Sequence, residues 1–221
     1  MPSLYLASAS PRRAALLAQL GVRFQVVPPT VQETEIVEGS VYTVGRVVKA
    51  NALSKARSVS LQLAEGLVIA GDTVVLTNEG KSLGKPQTPE NALAMLRQLV
   101  GTWHRVLSAV AVVDVATGKS RTRLASARVW FRQAPDADLH RYVDAGEPLD
   151  KAGAYAIQGL GAFLVDRVSG SYTAVVGFPM ELIVRLLAEF GFSLPDHWMK
   201  SGLRDEKQSQ LKQPVSKSKR A

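Results

Sequence analysis

The segment Ser8–Arg13 combines two serines, a proline and two arginines directly after a short apolar run. Ser10 is suited to cap a helix and Pro11 to occupy its first turn, so the segment predicts a strand-to-helix turn. Unpaired N–H groups at a helix start attract anions, and Arg12 and Arg13 would add forked donors for phosphate oxygens. Two positive side chains oppose the helix dipole there, which favours a phosphate site; a capped helix with solvated arginines is the alternative.

Two acidic residues are candidates for metal binding or proton transfer. Asp72 comes shortly after the apolar run Leu67–Ala70. If that run is a strand, the carboxylate lies at the carboxyl edge of the sheet, where open α/β sheets bind their ligands. Such a carboxylate can hold a divalent metal or accept a proton from water, although a turn or capping aspartate is the commoner alternative. Glu33 follows the second predicted strand and, from the residues alone, is better explained as a solvated loop acid.

Lys55 and Lys85 are candidate phosphate ligands. Lys85 lies in a Gly-Lys-Pro loop, which can fix a lysine above a phosphate. Lys55 falls within a predicted helix, where a solvated lysine is an equally good explanation. Either ammonium group would act as a point charge toward phosphate oxygens.

The sequence excludes several other kinds of site. It contains no cysteine, so neither a disulfide nor a thiolate nucleophile can form. The histidines show no metal-ligand spacing and predict no zinc site: His104, His140 and His197. No P-loop motif is present, and Gly159–Gly161 lacks the strand and helix context of a dinucleotide-binding site.

Hydrophobic patterning predicts the elements that must position these side chains. Strands are predicted over Leu4–Ala7, Phe24–Val27, Leu67–Ala70, Val106–Val115 and Thr122–Phe131, and within Gly159–Val168. Helices are predicted over 10–20, 41–59, 89–100, 137–143 and 180–190. Early strand–helix alternation followed by a hairpin indicates an α/β fold with a mixed central sheet flanked by helices, in two lobes around a cleft.

The chain divides by composition into a folded body, residues 1–195, and a basic polar tail, residues 196–221, expected to be flexible. From His197 onward there are seven basic and two acidic residues, so this stretch carries +5 of the net charge of +8. No signal peptide and no apolar run of bilayer length is recognised, and a cytoplasmic location with no membrane contact is expected. The tail leaves a nucleic-acid-binding or acidic-partner role open as an alternative.

Taken together, these motifs resemble those of the Maf family over about residues 3–192. The matching segments are Leu6–Arg13, Glu33, Ala52–Ala56, Gly71–Val75, Leu83–Pro86, Asp150–Gly159 and Gly170–Pro179. The resemblance implies a Maf/ITPase-like fold and a homodimer. It also implies an enzyme that hydrolyses a nucleoside triphosphate between the α and β phosphorus atoms.

The same resemblance assigns roles to individual residues. Asp72 would be the catalytic acid that activates water, and Glu33 and Asp72 would hold a divalent metal, Mg²⁺ or Mn²⁺. The remaining residues would bind the substrate: Ser8, Arg12, Arg13, Lys55, Thr73, Lys85 and Gln158. Such a set can offset negative charge that builds on the leaving pyrophosphate.

Three motifs resemble the branch of the family that acts on dTTP and UTP: Arg12 beside Pro11, Asp72-Thr73 and Ile157-Gln158-Gly159. A glutamine amide can both donate to and accept from the edge of thymine or uracil. The alternatives are a 7-methyl-GTP or broad-specificity pyrophosphatase, and a cell-division regulator that binds nucleic acid.

Several residues depart from the usual family pattern. Gln32 stands where the family usually has an acid, Gly71 replaces alanine and Phe178 replaces leucine. The unusual register around Arg46–Lys49 makes Lys49 a competitor for the role of Lys55.

Overall fold

The computed structural model describes residues 2–36 and 38–200, with side chains described as far as residue 198. Its strands are β1 (Leu4–Ala7), β2 (Gln25–Val26), β3 (Leu67–Thr77), β4 (Ser82–Leu83), β5 (Trp103–Asp114), β6 (Ser120–Phe131) and β7 (Val165–Gly170). Its α-helices are α1 (Pro11–Ala18), α2 (Val41–Ser60), α3 (Pro89–Leu99), α4 (Asp136–Asp144), α5 (Tyr172–Val176), α6 (Met180–Glu189) and α7 (Leu194–Lys200). Three 3₁₀ helices span Glu147–Asp150, Ala152–Ala154 and Leu160–Leu164.

These strands form one mixed sheet in the order β2-β1-β3-β5-β6-β7, with β4 paired to β3. β1 is parallel to both β2 and β3, whereas β3, β5, β6 and β7 pair antiparallel in succession. The predicted α/β class and the β5–β6 hairpin are therefore confirmed, although both hairpin strands are longer than predicted.

Side chains of β3 alternate between two layers, because successive residues of a strand point to opposite faces. Val68, Ala70 and Val74 pack under α2 together with β5. On the other face, Ile69 belongs to a cluster with α1 and α6, whereas Val75 belongs to a cluster with α3 and α4. These two clusters lie at opposite ends of the long strands and correspond to the two expected lobes.

One predicted strand was wrong in part. The strand predicted within Gly159–Val168 is a 3₁₀ helix over Leu160–Leu164, and β7 begins only at Val165. The short helix α5 was not predicted; Ser171 caps it by accepting a hydrogen bond from the Ala174 N–H at 3.1 Å.

The proposed boundary after residue 195 falls inside α7. The Trp198 indole N–H donates to the Leu20 carbonyl at 2.6 Å, and His197 Nε2 accepts from the Arg23 N–H at 3.0 Å. His197 and Trp198 therefore contact the folded body, and the predicted tail beyond residue 200 lies outside the described residues. Within the described ranges, no helix combines the length and apolar character needed to cross a membrane.

The two departures Gly71 and Phe178 lie against each other. A Cβ on Gly71 would lie 2.9 Å from Phe178 Cδ2 and 3.2 Å from the Ala109 carbonyl oxygen. Phe178 is fully buried, so its ring has little room to move away. The larger side chain at position 178 thus uses space that an alanine at position 71 would need.

We expect Gly71→Ala to lower the free energy of unfolding by about 1–3 kcal/mol through overpacking. Phe178→Leu alone should destabilise by about 1 kcal/mol or more, because it leaves a cavity. The double variant should be more stable than the sum of the two losses predicts. Urea unfolding of the four proteins measures this coupling, and additive losses would show that the two departures are independent.

Candidate active site

A cleft of about 880 Å³ lies between the two lobes. Every side chain proposed for the site from the sequence lines this cleft: Ser8, Arg12, Arg13, Glu33, Lys55, Asp72, Thr73, Lys85 and Gln158. Lys49 and Gln32 do not line it, so Lys55 rather than Lys49 is placed to act there. The structure therefore brings together residues that are up to 150 positions apart (Ser8 and Gln158).

The cleft opens where β1 ends. β1 pairs with β3 as far as Ala7 and Ala70, and β4 joins β3 only from Val75. Between these points the described structure gives β3 a strand neighbour on one side alone, β5. Asp72 therefore lies within β3, and the expectation that the strand ends before it was wrong. The carboxyl edge at the site is that of β1.

Asp72 is the buried carboxylate of the site, with 6% of the residue exposed. Its Oδ1 accepts a hydrogen bond from Lys55 Nζ at 2.8 Å, and the same ammonium group lies 2.8 Å from Glu33 Oε1. Lys55 is itself buried, whereas the Glu33 side chain is 54% exposed. One lysine thus bridges two carboxylates that come from β3 and from the loop before α2.

The two carboxylates differ in their affinity for a proton. Burial raises the pKa of Asp72, and although Lys55 opposes this shift, the negative charge of Glu33 adds to it. Burial also acts to raise the pKa of Glu33, but the contacts with Lys55 more than offset it and lower that pKa. Glu33 is therefore ionised at neutral pH, and Asp72 is the better proton acceptor of the pair.

Asn51 fixes the loop that carries Glu33. Its Oδ1 accepts from the Thr34 N–H at 3.0 Å, while its Nδ2 donates to the Thr34 carbonyl at 3.1 Å and to Asp72 Oδ2 at 3.3 Å. The sequence reasoning missed this residue. The available signal was its spacing from Lys55, since residues four apart on a helix share one face.

Arg13 is fixed on the opposite face of β3. Its Nε donates to the Gly177 carbonyl at 3.0 Å, and one terminal nitrogen donates to Thr73 Oγ1 at 3.4 Å. Thr73 also exchanges a hydrogen bond with Ser108 Oγ at 2.9 Å. Asp72 and Thr73 are neighbours in sequence, but the first faces α2 and the second faces Arg13, so this dipeptide serves two walls of the cleft.

The start of α1 has the strand-to-helix turn that the sequence predicts. Ser10 is the N-cap and Pro11 begins the helix, but the Ser10 side chain accepts no capping hydrogen bond. Instead Ser8 Oγ accepts the Ser10 N–H at 3.1 Å. Arg12 approaches Asp150 across the cleft at 4.0 Å, a weak ion pair at this separation.

Lys85 and Gln158 complete the cleft from the loops. Both are exposed, and neither side chain forms an ion pair or side-chain hydrogen bond with the described part of the protein. Their polar groups are therefore available to a ligand in the cleft.

A histidine lies behind one wall of the cleft. His104 is fully buried, and its Nε2 is 2.8 Å from the hydroxyl of Tyr155, which lines the cleft. Its Nδ1 has no hydrogen-bond partner among the described residues. Burial lowers the pKa of His104 to about 3, so the ring is neutral at physiological pH.

This burial makes the stability of the protein depend on pH. Between the unfolded pKa of 6.5 and the folded pKa of about 3, only the unfolded state binds a proton at His104. We therefore expect His104 to reduce the free energy of unfolding by about 1.4 kcal/mol per pH unit as the pH falls through this interval. Urea unfolding between pH 7 and 4 measures the slope.

His104→Gln should flatten that slope, because the amide does not titrate and can still reach the Tyr155 hydroxyl. His140→Gln provides the matched control, since His140 is exposed on α4. Equal slopes for wild type and His104→Gln would contradict the prediction.

The part of the chain that builds the cleft is similar to known proteins. Residues 3–190 match the family described as Maf-like protein. A dTTP/UTP pyrophosphatase of Moorella thermoacetica is 46% identical, over 86% of this chain and 96% of the relative. Another from Pelotomaculum thermopropionicum is 43% identical, over 88% of this chain and 100% of the relative. A third from Gloeobacter violaceus is 44% identical, over 85% of this chain and 95% of the relative.

A solved dITP/XTP pyrophosphatase from Mycobacterium abscessus aligns with 85% of this chain and 94% of its own, at 15% identity and a TM-score of 0.42, a likeness too weak to bear on function. The family match spans the residues that build the cleft, from β1 to α6. The chain belongs to the Maf family.

Proposed function

We propose that this protein is a nucleoside triphosphate pyrophosphatase that hydrolyses dTTP and UTP to the monophosphate and pyrophosphate. The observation that carries the proposal is the lining of one cleft, which contains the buried carboxylate of Asp72 together with the cations Arg12, Arg13 and Lys85. Such cations bind phosphates, while a carboxylate of raised pKa accepts a proton from water. The names of the relatives support the same reaction.

In this proposal the residues of the chain divide the work. Asp72 orients the attacking water and takes its proton, and Lys55 keeps the carboxylate available by opposing its protonation. Ser8, the start of α1, Arg12, Arg13 and Lys85 bind the triphosphate. Thr73 acts through Arg13, because its hydroxyl contacts Arg13, Ser108 and Gly177. Negative charge that builds on the leaving pyrophosphate is met by the fixed arginines.

A divalent metal fits the carboxylates of this site. Glu33 and Asp72 already converge on one positive charge, the Lys55 ammonium. Among the described residues no group of three or more acidic or histidine side chains is close enough to hold a metal. Mg²⁺ needs only one or two carboxylates when substrate phosphates and water supply the remaining oxygens. Glu33 and Asp72 would hold it, and it would supply further neutralisation of phosphate charge.

Base preference is assigned to Gln158. Its exposed amide lines the cleft on the segment that follows Ile157, and an amide can pair with the donor and acceptor edge of uracil or thymine. We also propose a homodimer and a cytoplasmic location, where the enzyme would meet its nucleotide substrates. Light scattering of the purified protein tests the first.

A triphosphate panel tests the function. Pyrophosphate release from dTTP, UTP, CTP, GTP and 7-methyl-GTP should be fastest with the first two, and should fall when Mg²⁺ is removed by a chelator. A clear preference for 7-methyl-GTP would overturn the proposed substrate in favour of the other branch of the family. Release of single phosphates rather than pyrophosphate would overturn the reaction itself.

Deletion of the basic tail tests the nucleic-acid-binding alternative. A truncation after Pro195 would remove the Trp198 contact with Leu20, so the deletion should start at residue 201. An enzyme keeps its turnover without residues 201–221, whereas a binder that depends on the basic tail loses its affinity for nucleic acid.

A further inference from the structure

The segment that carries Gln158 is held at both ends by two side chains outside it. The Tyr142 hydroxyl accepts the Ala156 N–H at 3.2 Å, before Gln158. Glu147 Oε2 accepts the Leu160 N–H at 2.8 Å and its Oε1 accepts the Gly161 N–H at 2.9 Å, after Gln158. The Tyr142 hydroxyl also donates to Glu147 Oε1 at 2.8 Å, so the two side chains form one unit.

Two glycines allow this contact. Gly159 has φ +121° and ψ −155°, a backbone conformation that residues other than glycine essentially never adopt. A Cβ on Gly159 would lie 2.3 Å from Glu147 Oε2, and one on Gly161 would lie 2.4 Å from the Tyr142 hydroxyl. The Gly159-Leu-Gly161 sequence is therefore shaped to receive these two side chains.

Glu147 is ionised while it makes these contacts. Burial alone would raise its pKa, but the Gly161 and Leu160 N–H groups and the Tyr142 hydroxyl more than offset this and lower it. An anionic acceptor strengthens each of the three hydrogen bonds. Both carboxylate oxygens are engaged by the protein, although Glu147 lines the cleft.

Gln158 itself contrasts with its surroundings. Its backbone lies between Ala156 and Leu160, which are both held, yet its side chain is exposed and free of hydrogen bonds to the described residues. A group that must recognise a ligand works best when neighbouring residues fix its position and leave its polar atoms open.

We propose that Glu147 and Tyr142 are positioning residues that set base selectivity through Gln158, with no contact of their own with the base. This inference rests on the proposed function, because it assigns the discrimination step of that reaction. It adds the source of the geometry, because the carboxylate of Glu147, at the start of the 3₁₀ helix after α4, fixes the loop that carries Gln158.

Glu147→Gln tests the proposal with little change in volume. The amide presents one oxygen and one NH₂ group, so at least one of the Leu160 and Gly161 N–H groups loses its acceptor. The ratio of kcat/KM between the preferred nucleotide and GTP should fall about tenfold, the equivalent of one hydrogen bond in a recognition site. Most of the loss should lie in KM for the preferred nucleotide.

A double-variant cycle separates positioning from general destabilisation. If Glu147 acts through Gln158, Glu147→Gln should have little further effect on selectivity once Gln158→Ala is present. Tyr142→Phe should likewise lower selectivity when Gln158 is present and have little further effect once Gln158→Ala is present. Inhibition by inorganic tripolyphosphate should be unchanged in all these variants, because it reports on the phosphate-binding wall alone. Glu189→Gln, an acid on α6 paired with Arg123, is the matched control and should retain the wild-type ratio.

Hydrogen–deuterium exchange gives a second readout without turnover. The Leu160 and Gly161 amides should exchange faster in Glu147→Gln than in wild type, while amides of β5 stay protected. If those amides loosen but selectivity is unchanged, or if the effects of Glu147→Gln and Gln158→Ala are additive, the proposal is wrong and the pyrophosphatase proposal stands. A wild-type preference for 7-methyl-GTP would overturn the proposed substrate. The role of Glu147 would still be decided by the ratio of kcat/KM between 7-methyl-GTP and GTP in Glu147→Gln and in wild type. A wild type with no base preference would overturn both.

Discussion

Asp72→Asn is expected to lower kcat for dTTP by about 10²–10⁴-fold, the usual contribution of a positioned general base. The substitution keeps the size of the side chain and one oxygen, but an amide does not accept a proton from water. Burial had raised the proton affinity of the Asp72 carboxylate above that of its neighbours, so no neighbouring group easily replaces it as the proton acceptor. Pyrophosphate release under saturating dTTP and Mg²⁺ measures the effect.

The fold should survive this substitution. Lys55 keeps its contact with Glu33 at 2.8 Å, so its ammonium group retains one counter-charge. Asp166→Asn is the matched control, because Asp166 is an exposed acid on β7 outside the cleft. We expect wild-type turnover for the control and a single cooperative thermal transition for both variants. Wild-type turnover in Asp72→Asn would falsify the catalytic assignment.

The sequence predicts the elements better than the contacts between them. Periodicity and capping residues located α1, α3 and the β5–β6 hairpin, because these depend on local spacing and turn chemistry. The end of the strand before Asp72 was wrong for a tertiary reason: β3 continues because β5 pairs with it along its whole length. The residue types along β3 do not indicate where its other neighbour, β1, ends.

The site shows the same division between local pattern and tertiary contact. Its charged residues could be nominated from motifs, but the partners that fix them could not. Asn51, Ser108 and Glu147 come from different elements and meet the site only through tertiary folding. Glu147 is the clearest case. Its local sequence does not distinguish an exposed turn acid from an acceptor for two backbone N–H groups.

Lys55→Met is expected to have a comparable effect on catalysis but by a different route. The ammonium group lies 2.8 Å from an oxygen of both carboxylates, and its loss removes the positive group that is hydrogen-bonded to Asp72 and leaves Glu33 beside it. Like charge and burial both raise the pKa of Asp72, so a larger fraction is protonated at neutral pH and cannot act as a base. We expect kcat/KM for dTTP at pH 7 to fall by about 10²–10³-fold.

The pH profile distinguishes this route from simple loss of a phosphate contact. Because the base must be ionised, a raised pKa moves the acid limb of kcat/KM to higher pH, and activity should partly recover as the pH increases. Lys85→Met is the matched control, since Lys85 lines the same cleft without an ion pair to a described carboxylate. That variant should raise KM and leave the acid limb in place. An unmoved limb in Lys55→Met would show that Lys55 serves only as a phosphate ligand.

Stability gives an independent measure of the same charge balance. Breaking a buried ion pair costs about 3–5 kcal/mol, and the low end applies here because the Glu33 side chain is half-exposed and Asp72 can take up a proton. Asp72→Asn introduced into Lys55→Met removes the uncompensated buried charge, so the double variant should regain most of the lost free energy of unfolding. It should regain no turnover, because the proton acceptor is then absent. Recovery of stability without recovery of activity would place Lys55 in the role of counter-charge to the base.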